Sequence, residues 1–217
     1  MIRAVIFDLD GTLIDSAPDI WRAANQVLEG EGLPHVTFEQ SRSFIGRGAK
    51  VFVERMELAV MGANDPARTA HLFQRFLHFY ERAHEGTRVY PHVPEALQAL
   101  RGQGLRLGLC TNKPLRPTQA VLAHLGWDRL FEIVIGGDSL AVAKPDPAPL
   151  LAVLKGLEAG LPEIAYIGDS ETDAETAERA GARFGLYTEG YRKAPAEALY
   201  HQFRFSDYRD LPDLVHG

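Results

Sequence analysis

Short runs of apolar residues alternate along this chain with longer segments in which apolar residues recur every three or four positions. The short runs predict buried β-strands, and the longer segments predict amphipathic helices. We predict strands over residues 4–7, 105–109, 131–135, 164–167 and 184–187. We predict helices over residues 94–101, 117–125, 147–157 and 172–180. This alternation indicates an α/β fold with a parallel sheet.

The alternation stops between the first strand and the second. Residues 16–85 contain helical patterns and no strand pattern. Ser16 and Asp19 predict a cap at the start of the first of these helices, and Thr37 with Gln40 predicts a capping box for the next. This segment also contains two apolar faces at helical spacing. The first is formed by Ile20, Ala24, Val27 and Leu28, and the second by Phe73, Phe76, Leu77 and Tyr80. We interpret the four aromatic and aliphatic residues of the second face as core of a helical bundle.

A connection of this length between two strands is far longer than the usual crossover. We therefore predict two domains, an α/β core of residues 1–15 and 86–217 and a small α-helical cap of residues 16–85. The hinges would be residues 15–17 and 86–93. Ligands of open α/β sheets bind beyond the carboxyl ends of the strands, and the insert leaves from such an end. The cap is therefore placed to act as a lid.

Composition narrows the possible functions. The 217 residues are 46% hydrophobic, which is normal for a globular protein. The chain has 29 acidic and 23 basic residues, a net charge of −6, and no long basic run, so we expect no nucleic-acid partner. No stretch is apolar enough to predict a membrane span or a signal peptide. The single cysteine, Cys110, excludes an internal disulfide and predicts a cytoplasmic location.

The end of the first predicted strand carries two carboxylates, Asp8 and Asp10, followed by Gly11 and Thr12. Residues two apart in a strand lie on the same side of the chain. Carboxylates held this close repel each other, so one of them takes a proton or a cation lies between them. Aspartate before glycine is also common in ordinary turns. The other strand ends favour the chemical interpretation.

Polar side chains also follow three later strands. Thr111 and Asn112 follow the second strand and offer a hydroxyl, an amide and backbone N–H groups for an anion. Lys144 lies before a proline that opens a predicted helix. Asp169 ends the fourth strand, and Asp173 lies in the first helical turn after it, where the helix dipole favours an acid in any case. Each of these residues alone also fits an ordinary turn, cap or solvated side chain.

Together Asp8, Asp10 and Asp169 give three carboxylates at one edge of the sheet, beside one lysine and an amide–hydroxyl pair. Oxygen ligands without sulfur are typical of Mg²⁺ rather than Zn²⁺. The anion that such a set could hold is a phosphate. An aspartate can attack phosphorus only when positive charge offsets the repulsion between its oxygens and those of the phosphate. Mg²⁺ and a lysine would supply that charge.

In their order and spacing, four segments resemble the motifs of the haloacid-dehalogenase superfamily: residues 8–16, 111–113, 144–145 and 168–173. The helical insert after the first motif resembles the cap of the phosphoglycolate phosphatase-like branch, as do residues 90–91, 111–114 and 144–147. The resemblance implies a Rossmann-like sheet with a cap inserted after the first strand. Two segments differ from that branch: His92 stands where the branch usually has glycine, and Glu171-Thr172 replaces its commoner Arg/Lys-Asn.

The resemblance also implies roles for individual residues. Asp8 would be the nucleophile that forms an aspartyl-phosphate, and Asp10 would protonate the leaving oxygen and then activate water. Thr111, Asn112 and Lys144 would hold the phosphoryl group. Asp8, Asp169 and the backbone carbonyl of Asp10 would bind Mg²⁺. Asp173 and Thr12 would support these ligands without touching the ion.

Arg47 lies between Gly46 and Gly48 in the predicted cap. A tight turn there could present the guanidinium to a substrate carboxylate. The alternative is a turn between helices with a solvated arginine. We predict that Arg47 binds substrate, mainly from its position in the cap.

The sequence thus predicts an Mg²⁺-dependent phosphatase for a small phosphorylated metabolite, with 2-phosphoglycolate as the first choice of substrate. A pyrophosphatase, a nucleotidase, a broad sugar phosphatase and an enzyme that transfers the phosphoryl group to a sugar remain alternatives. So does a phosphate-sensing module without turnover. We expect no membrane partner, and a monomer or a homodimer.

Overall fold

A computed structural model describes residues 1–216 of the chain. Its main sheet has six parallel strands in the order β5-β4-β1-β6-β7-β8. Their bounds are β1 Ala4–Phe7, β4 Arg106–Cys110, β5 Ile133–Ile135, β6 Ile164–Gly168, β7 Phe184–Tyr187 and β8 Phe203–Phe205. Every residue of β1 is buried, because strands flank it on both sides and helices cover both faces. The α/β prediction is confirmed.

The helices of the core lie on both faces of this sheet. They are α5 Val93–Gly102, α6 Leu115–His124, α7 Ala148–Gly156, α8 Glu171–Ala180 and α9 Leu211–Leu214. Val5 and Phe7 of β1 pack with apolar residues of α5, α6 and α9, whereas Ala4 and Ile6 pack with those of α7 and α8. The alternation of side chains along β1 thus divides the core into two layers.

The remaining long helices form a separate bundle with its own apolar core. They are α1 Ala17–Gly30, α2 Phe38–Phe44, α3 Gly48–Met61 and α4 Pro66–Tyr80. Ile20, Ala24 and Val27 of α1 pack against Phe52 of α3 and Phe76 of α4. The predicted capping box at the start of α2 is present, with Gln40 N–H donating to Thr37 Oγ1 at 3.1 Å. We propose that residues 16–85 form the cap and that residues 1–15 and 86–217 form the core.

Two short strands lie where the hinges were predicted. Strands β2, Ile14–Asp15, and β3, Arg88–Val89, pair antiparallel in a second small sheet. The chain therefore enters and leaves the cap through a hydrogen-bonded ribbon rather than through two open loops. Two-residue strands carry too little periodicity to be seen in a sequence.

The predicted strands agree with the observed ones to within two residues, and the predicted helices agree equally well. Strand β8 was not predicted. The cap predicted for α1 is wrong: Ser16 makes no side-chain cap bond, because its hydroxyl donates to Asp10 Oδ1 at 2.5 Å instead. The Asp19 carboxylate accepts from Gly86 N–H and Thr87 Oγ1, which lie beside the second hinge. Residue 217 of the predicted core range lies outside the described residues.

None of the helices within residues 1–216 is both long and apolar enough to cross a membrane.

Candidate active site

The predicted site residues follow neighbouring strands at one edge of the sheet. Asp8 and Asp10 follow β1, and β4 and β6 flank β1 on either side. Thr111 follows β4, and Asp169 follows β6. Because all these strands are parallel, their carboxyl ends meet at the same edge, directly beneath the cap.

Three buried carboxylates converge at this edge. One oxygen from each of Asp8, Asp169 and Asp173 lies within 4.8 Å of the others. Thr12 Oγ1 donates to Asp169 Oδ1 at 2.8 Å, and Tyr191 N–H donates to Asp169 Oδ2 at 2.6 Å. A Cβ atom on Gly11 would collide with the Asp169 carboxylate, so glycine is required where the chain turns after Asp10.

Lys144 links two of the acids. Its Nζ lies 3.0 Å from Asp8 Oδ1 and donates to Asp173 Oδ1 at 2.6 Å and to the Tyr166 hydroxyl at 2.9 Å. The other oxygen of Asp173 accepts from Ser170 Oγ at 2.6 Å, so both Asp173 oxygens are engaged. Asp173 therefore positions the ammonium group of Lys144 against Asp8.

The electrostatics of the cluster follow from burial and from neighbouring charges. Burial raises the pKa of Asp8 to about 7, with Lys144 acting to lower it and Asp173 to raise it. Burial, Asp173 and Asp8 raise the pKa of Asp169 well above its usual range. Burial alone would lower the pKa of Lys144, but Asp173 and Asp8 outweigh it and raise that pKa. The cluster of Asp8, Asp169 and Asp173 therefore holds the Lys144 ammonium among acids that repel each other.

The Asp10 carboxylate lies apart from the three converging acids. Its Oδ1 accepts from Ser16 Oγ at 2.5 Å and from Lys113 Nζ at 3.3 Å. The hydroxyl of Tyr80, at the end of α4, lies 3.4 Å from its Oδ2. Asp10 thus faces the cleft between core and cap, the position that a proton donor to a leaving group would need.

Thr111 and Asn112 are buried beside Asp8 but are held differently. Thr111 N–H donates to Ile135 O at 3.0 Å, and its hydroxyl oxygen accepts from Lys113 N–H at 3.2 Å. The Asn112 side chain accepts from Lys144 N–H at 3.0 Å and donates to Lys144 O at 2.9 Å and Gly46 O at 3.2 Å. The Asn112 amide therefore holds the Lys144 loop and the cap turn. Phosphoryl binding by Asn112 stays a prediction, and it would fall to the backbone N–H.

Arg47 lies in the cap turn at the edge of the cleft. Both flanking glycines have positive φ, 118° at Gly46 and 86° at Gly48, as the predicted tight turn requires. The Arg47 side chain is 55% exposed, and its closest carboxylate is Glu175 at 4.0 Å. The structure does not bring Arg47 together with the converging acids, and its substrate contact stays a prediction.

Sequence reasoning missed three residues that contact the predicted site. Lys113 Nζ donates to the Tyr80 hydroxyl at 2.7 Å in addition to Asp10. The Tyr191 hydroxyl accepts from Ser16 N–H at 2.8 Å and donates to Asp15 Oδ1 at 2.6 Å, beside the first hinge. Lys113 stood inside a motif and could have been found. Tyr80 was assigned to the bundle core, to which it also belongs, and nothing in the sequence marks Tyr191.

The cleft above these residues has two lobes that share Asp8, Asp10, Ile45 and Gly46. The apolar lobe contains about 440 Å³ of space, its open mouth included, and we define it by the following further residues: Ile20, Phe52, Phe76, Tyr80, Thr111 and Lys113. The basic lobe is lined by Arg47, Arg55 and Lys193 and reaches Asp169. Cap residues therefore line both lobes, and the two lobes meet at Ile45 and Gly46.

The donor set fits a divalent cation. Three buried carboxylates offer only oxygen ligands, which hard cations such as Mg²⁺ prefer. Asp8 Oδ1 is buried and makes no hydrogen bond of regular geometry, although Lys144 Nζ is near. Each oxygen of Asp173 accepts at least two hydrogen bonds, whereas each oxygen of Asp169 accepts one, so Asp8 and Asp169 are the better ligands of the three.

Comparison with known proteins agrees with this geometry. The family model of haloacid dehalogenase-like hydrolases matches residues 2–181. The chain belongs to this family. One relative of this haloacid dehalogenase-like hydrolase is the phosphoglycolate phosphatase of Cereibacter sphaeroides strain ATCC 17029. The two sequences are 47% identical over 212 residues, which cover 97% of this chain and 96% of that protein. The phosphoglycolate phosphatase of Rhodobacter capsulatus is 45% identical over 219 residues, which cover 100% of this chain and 98% of that protein.

Solved structures give the same family. A predicted phosphoglycolate phosphatase from Haemophilus somnus 129PT superposes on this hydrolase with a TM-score of 0.92 at 30% identity, covering 98% of this chain and 97% of that one. The expectation of the haloacid-dehalogenase superfamily and of its α/β fold is confirmed.

Proposed function

We propose that this hydrolase is an Mg²⁺-dependent phosphatase that converts 2-phosphoglycolate into glycolate and phosphate through an aspartyl-phosphate on Asp8. The observation that carries the proposal is the convergence of the Asp8, Asp169 and Asp173 carboxylates within 4.8 Å, with Lys144 Nζ 3.0 Å from Asp8. The names of the Cereibacter and Rhodobacter relatives support the choice of substrate.

In the first step an Asp8 oxygen attacks phosphorus and the bond from phosphorus to the ester oxygen breaks. Asp10 donates its proton to the departing oxygen, which leaves as the hydroxyl of glycolate. Lys144 offsets the repulsion between Asp8 and the phosphoryl oxygens, and Thr111 with the backbone N–H of Asn112 holds those oxygens.

In the second step Asp10, now a carboxylate, takes a proton from a water molecule. The water oxygen attacks phosphorus, the bond from phosphorus to Asp8 breaks, and phosphate leaves. Asp8, Asp169 and the backbone carbonyl of Asp10 would hold Mg²⁺, with Thr12 and Asp173 supporting them. The cation would neutralise charge that develops on the phosphoryl oxygens.

A panel of phosphate esters assayed with Mg²⁺ tests the substrate. We expect 2-phosphoglycolate to give the highest kcat/KM, and a clear preference for a nucleotide, a pyrophosphate or a sugar phosphate would overturn the assignment. Analysis of the product distinguishes release of free phosphate from transfer to a sugar.

Asp8→Asn tests the chemistry. Because the amide cannot act as the nucleophile, we expect phosphate release to fall by at least about 1,000-fold, while the folded protein survives. Turnover that survives in Asp8→Asn would rule out the aspartyl-phosphate. A phosphate-sensing module, by contrast, would show no turnover in the wild type either.

We also propose a cytoplasmic location and a monomeric or homodimeric state. The single cysteine, which is buried and free, supports the location. Size-exclusion chromatography with light scattering measures the oligomeric state directly.

A further inference from the structure

We infer that Lys113, with the hydroxyl of Tyr80, binds the carboxylate of the substrate in the apolar lobe. The inference rests on the proposed function and goes beyond it by assigning the substrate's second anionic group to a place in the cleft. It replaces Arg47, the candidate from sequence, with two side chains that sequence reasoning did not single out.

Burial makes Lys113 unusual. Its side chain is only 2% exposed, yet its Nζ pairs with a single carboxylate, Asp10, at 3.3 Å. Its other close partner is the neutral Tyr80 hydroxyl at 2.7 Å. An ammonium group has three donors, so this arrangement leaves capacity for one more acceptor. Removing an ammonium from water is costly, and folding alone gains little from it here.

The position of Lys113 suits a short acid. In 2-phosphoglycolate one methylene separates the leaving oxygen from the carboxylate carbon, so the carboxylate oxygens lie within roughly 4 Å of the leaving oxygen. Asp10 must reach that leaving oxygen to protonate it. A cation 3.3 Å from the Asp10 carboxylate is therefore within reach of the substrate carboxylate.

The surroundings favour an anion at this point. Among the described residues that line the apolar lobe, Lys113 is the single cationic side chain, and Phe52 and Phe76 form much of the wall. Excluding water strengthens an ion pair between Lys113 and a carboxylate. The Tyr80 hydroxyl lies 3.4 Å from Asp10 Oδ2, a long contact that it can exchange for a better acceptor at small cost.

Arg47 is placed less well. Its side chain is more than half exposed and lines the basic lobe, and its nearest acid is Glu175. Water and salt weaken an ion pair at such a position.

The test compares two substrates that differ only in the carboxylate. These are 2-phosphoglycolate and 2-hydroxyethyl phosphate, in which a hydroxymethyl group replaces the carboxylate. For each variant the measured quantity is the preference, the ratio of kcat/KM for the first substrate to kcat/KM for the second. We expect Lys113→Met to lower the preference by about 10- to 100-fold, the worth of a hydrogen bond between charged groups.

Two further variants locate the carboxylate. Tyr80→Phe should lower the preference by about three- to tenfold, since it removes one neutral donor and keeps the ring. Arg47→Ala should leave the preference unchanged. Lys155→Met removes an exposed lysine on α7, away from the cleft, and is the matched control for loss of charge.

Equal losses on both substrates in Lys113→Met would overturn the inference, because Lys113 would then only position Asp10. A preference that collapses in Arg47→Ala but not in Lys113→Met would overturn it as well, by placing the carboxylate in the basic lobe. Either result leaves the proposed function intact, provided that the wild type hydrolyses 2-phosphoglycolate.

A binding experiment keeps the inference testable without turnover. The phosphonate 3-phosphonopropionate has the shape of the substrate but no ester bond, and propylphosphonate lacks its carboxylate. We expect calorimetry on the Mg²⁺-loaded wild type to show tighter binding of 3-phosphonopropionate than of propylphosphonate. In Lys113→Met the ratio of the two dissociation constants should shrink by about 10- to 100-fold. An unchanged difference would overturn the inference. If Lys113→Met does not fold, Lys113→Gln and Tyr80→Phe serve in both experiments.

Discussion

At the scale of single residues, the structure separates the two aspartates of the first motif by their partners. Asp8 has Lys144 beside it, whereas the Asp10 carboxylate accepts from Ser16 and Lys113. The two carboxylates therefore face different environments although one residue separates them. Different environments are what a nucleophile and a proton donor need when both are aspartates.

Asp10→Asn is expected to slow breakdown of the aspartyl-phosphate by about 100- to 10,000-fold, because an amide cannot take the proton from water. With p-nitrophenyl phosphate, whose leaving group needs no proton donor, we expect the phosphorylated enzyme to accumulate. Intact mass spectrometry after rapid acid quench measures it as the mass of one added phosphoryl group. Full steady-state activity without a covalent species would contradict the role of Asp10.

His92→Gly is expected to stabilise the protein slightly. His92 precedes α5 with φ 64° and ψ 5°, the left-handed region that costs a non-glycine residue about 1 kcal/mol. Glycine removes that cost but adds freedom to the unfolded chain, so we expect a gain of at most about 1 kcal/mol in the free energy of unfolding by urea.

The matched control is Glu95→Gly in the first turn of the same helix, which should lose about 1 kcal/mol. Equal destabilisation by both variants would show that the backbone at position 92 is not strained.

The chemistry of the residues was only partly predictable. Asp8, Asp10 and Asp169 could be found because acids recur at the ends of neighbouring apolar strands, although each alone would also fit an ordinary turn. Ser16 and Asp19 were misassigned, because a local capping pattern and a long-range contact use the same side chains. Lys113 and Tyr80 meet only through the packing of the cap on the core, which no spacing along the chain encodes.

At the scale of elements, a buried charge joins two helices of the cap. Glu57 on α3 is buried and accepts from Arg68 Nε at 2.6 Å, from Asp65 N–H at 3.0 Å and from Thr69 Oγ1. These donors all lie at the start of α4. Glu57 thus fixes α4 against α3, and the far end of α4 carries Tyr80 into the cleft.

Glu57→Gln is expected to lower the free energy of unfolding by about 2 kcal/mol at pH 7, because it leaves Arg68 without its charged partner. Burial acts to raise the pKa of Glu57, but its donors outweigh burial and hold that pKa below the ordinary 4.5. The ion contributes stability above pH 4.5, and this stability is lost as the pH falls through the lower pKa of the folded state.

The difference between wild type and Glu57→Gln in urea unfolding should therefore shrink as the pH is lowered below 4.5. Glu39→Gln on the exposed face of α2 is the control and should change stability by less than about 0.5 kcal/mol. A difference that stays constant down to pH 3 would contradict the assignment of the charge.

Elements with a full periodic pattern were predictable, and shorter ones were not. Strand β1 is a continuous apolar run because it is covered on both faces, which marks it clearly in the sequence. Strand β8 has three residues and an exposed arginine, Arg204, at its centre. It exists because β7 offers a free edge, and that is a property of the sheet rather than of the local sequence.

At the scale of the whole molecule, cap and core meet through polar contacts around the cleft. Arg42 of the cap donates to Gly190 O at 3.1 Å, and Lys193 of the core donates to Ser43 O at 2.5 Å. Tyr191 lies between them and also joins Asp169 to the first hinge. The contacts that close the cap therefore share residues with those that orient an acid of the cluster.

Mg²⁺ is expected to raise the melting temperature of the whole protein. The converging acids repel each other, and a cation that binds only the folded state stabilises it by about 2.7 kcal/mol at 100 times its Kd. For a chain of this length that corresponds to a shift of roughly 5–10 °C. Differential scanning calorimetry with Mg²⁺ and with EDTA measures the shift.

Asp169→Asn should abolish most of this shift, because Asp169 is one of the two better-placed ligands. Asp128→Asn removes an exposed acid in the loop before β5, outside the cluster, and should retain the shift. Equal shifts in both variants would place the cation elsewhere.

The presence of several helices between β1 and β4 was predictable from the sequence pattern, whereas the closure of the cleft was not. It depends on where the segment after β7 lies, and that segment has no periodic pattern. Tyr191 is an example, since its N–H contacts Asp169 and its hydroxyl contacts Asp15 at the first hinge.

Cys110 ends β4 with its side chain fully buried, and burial raises the pKa of its thiol to about 12. Maleimide reagents react with accessible thiolates, so the native protein offers them no target. A cysteine introduced at an exposed position of the cap, such as Ala63→Cys, would then be the one site that takes a fluorescent dye. The dye would report any movement of the cap relative to the core in real time, with Cys110 left in place.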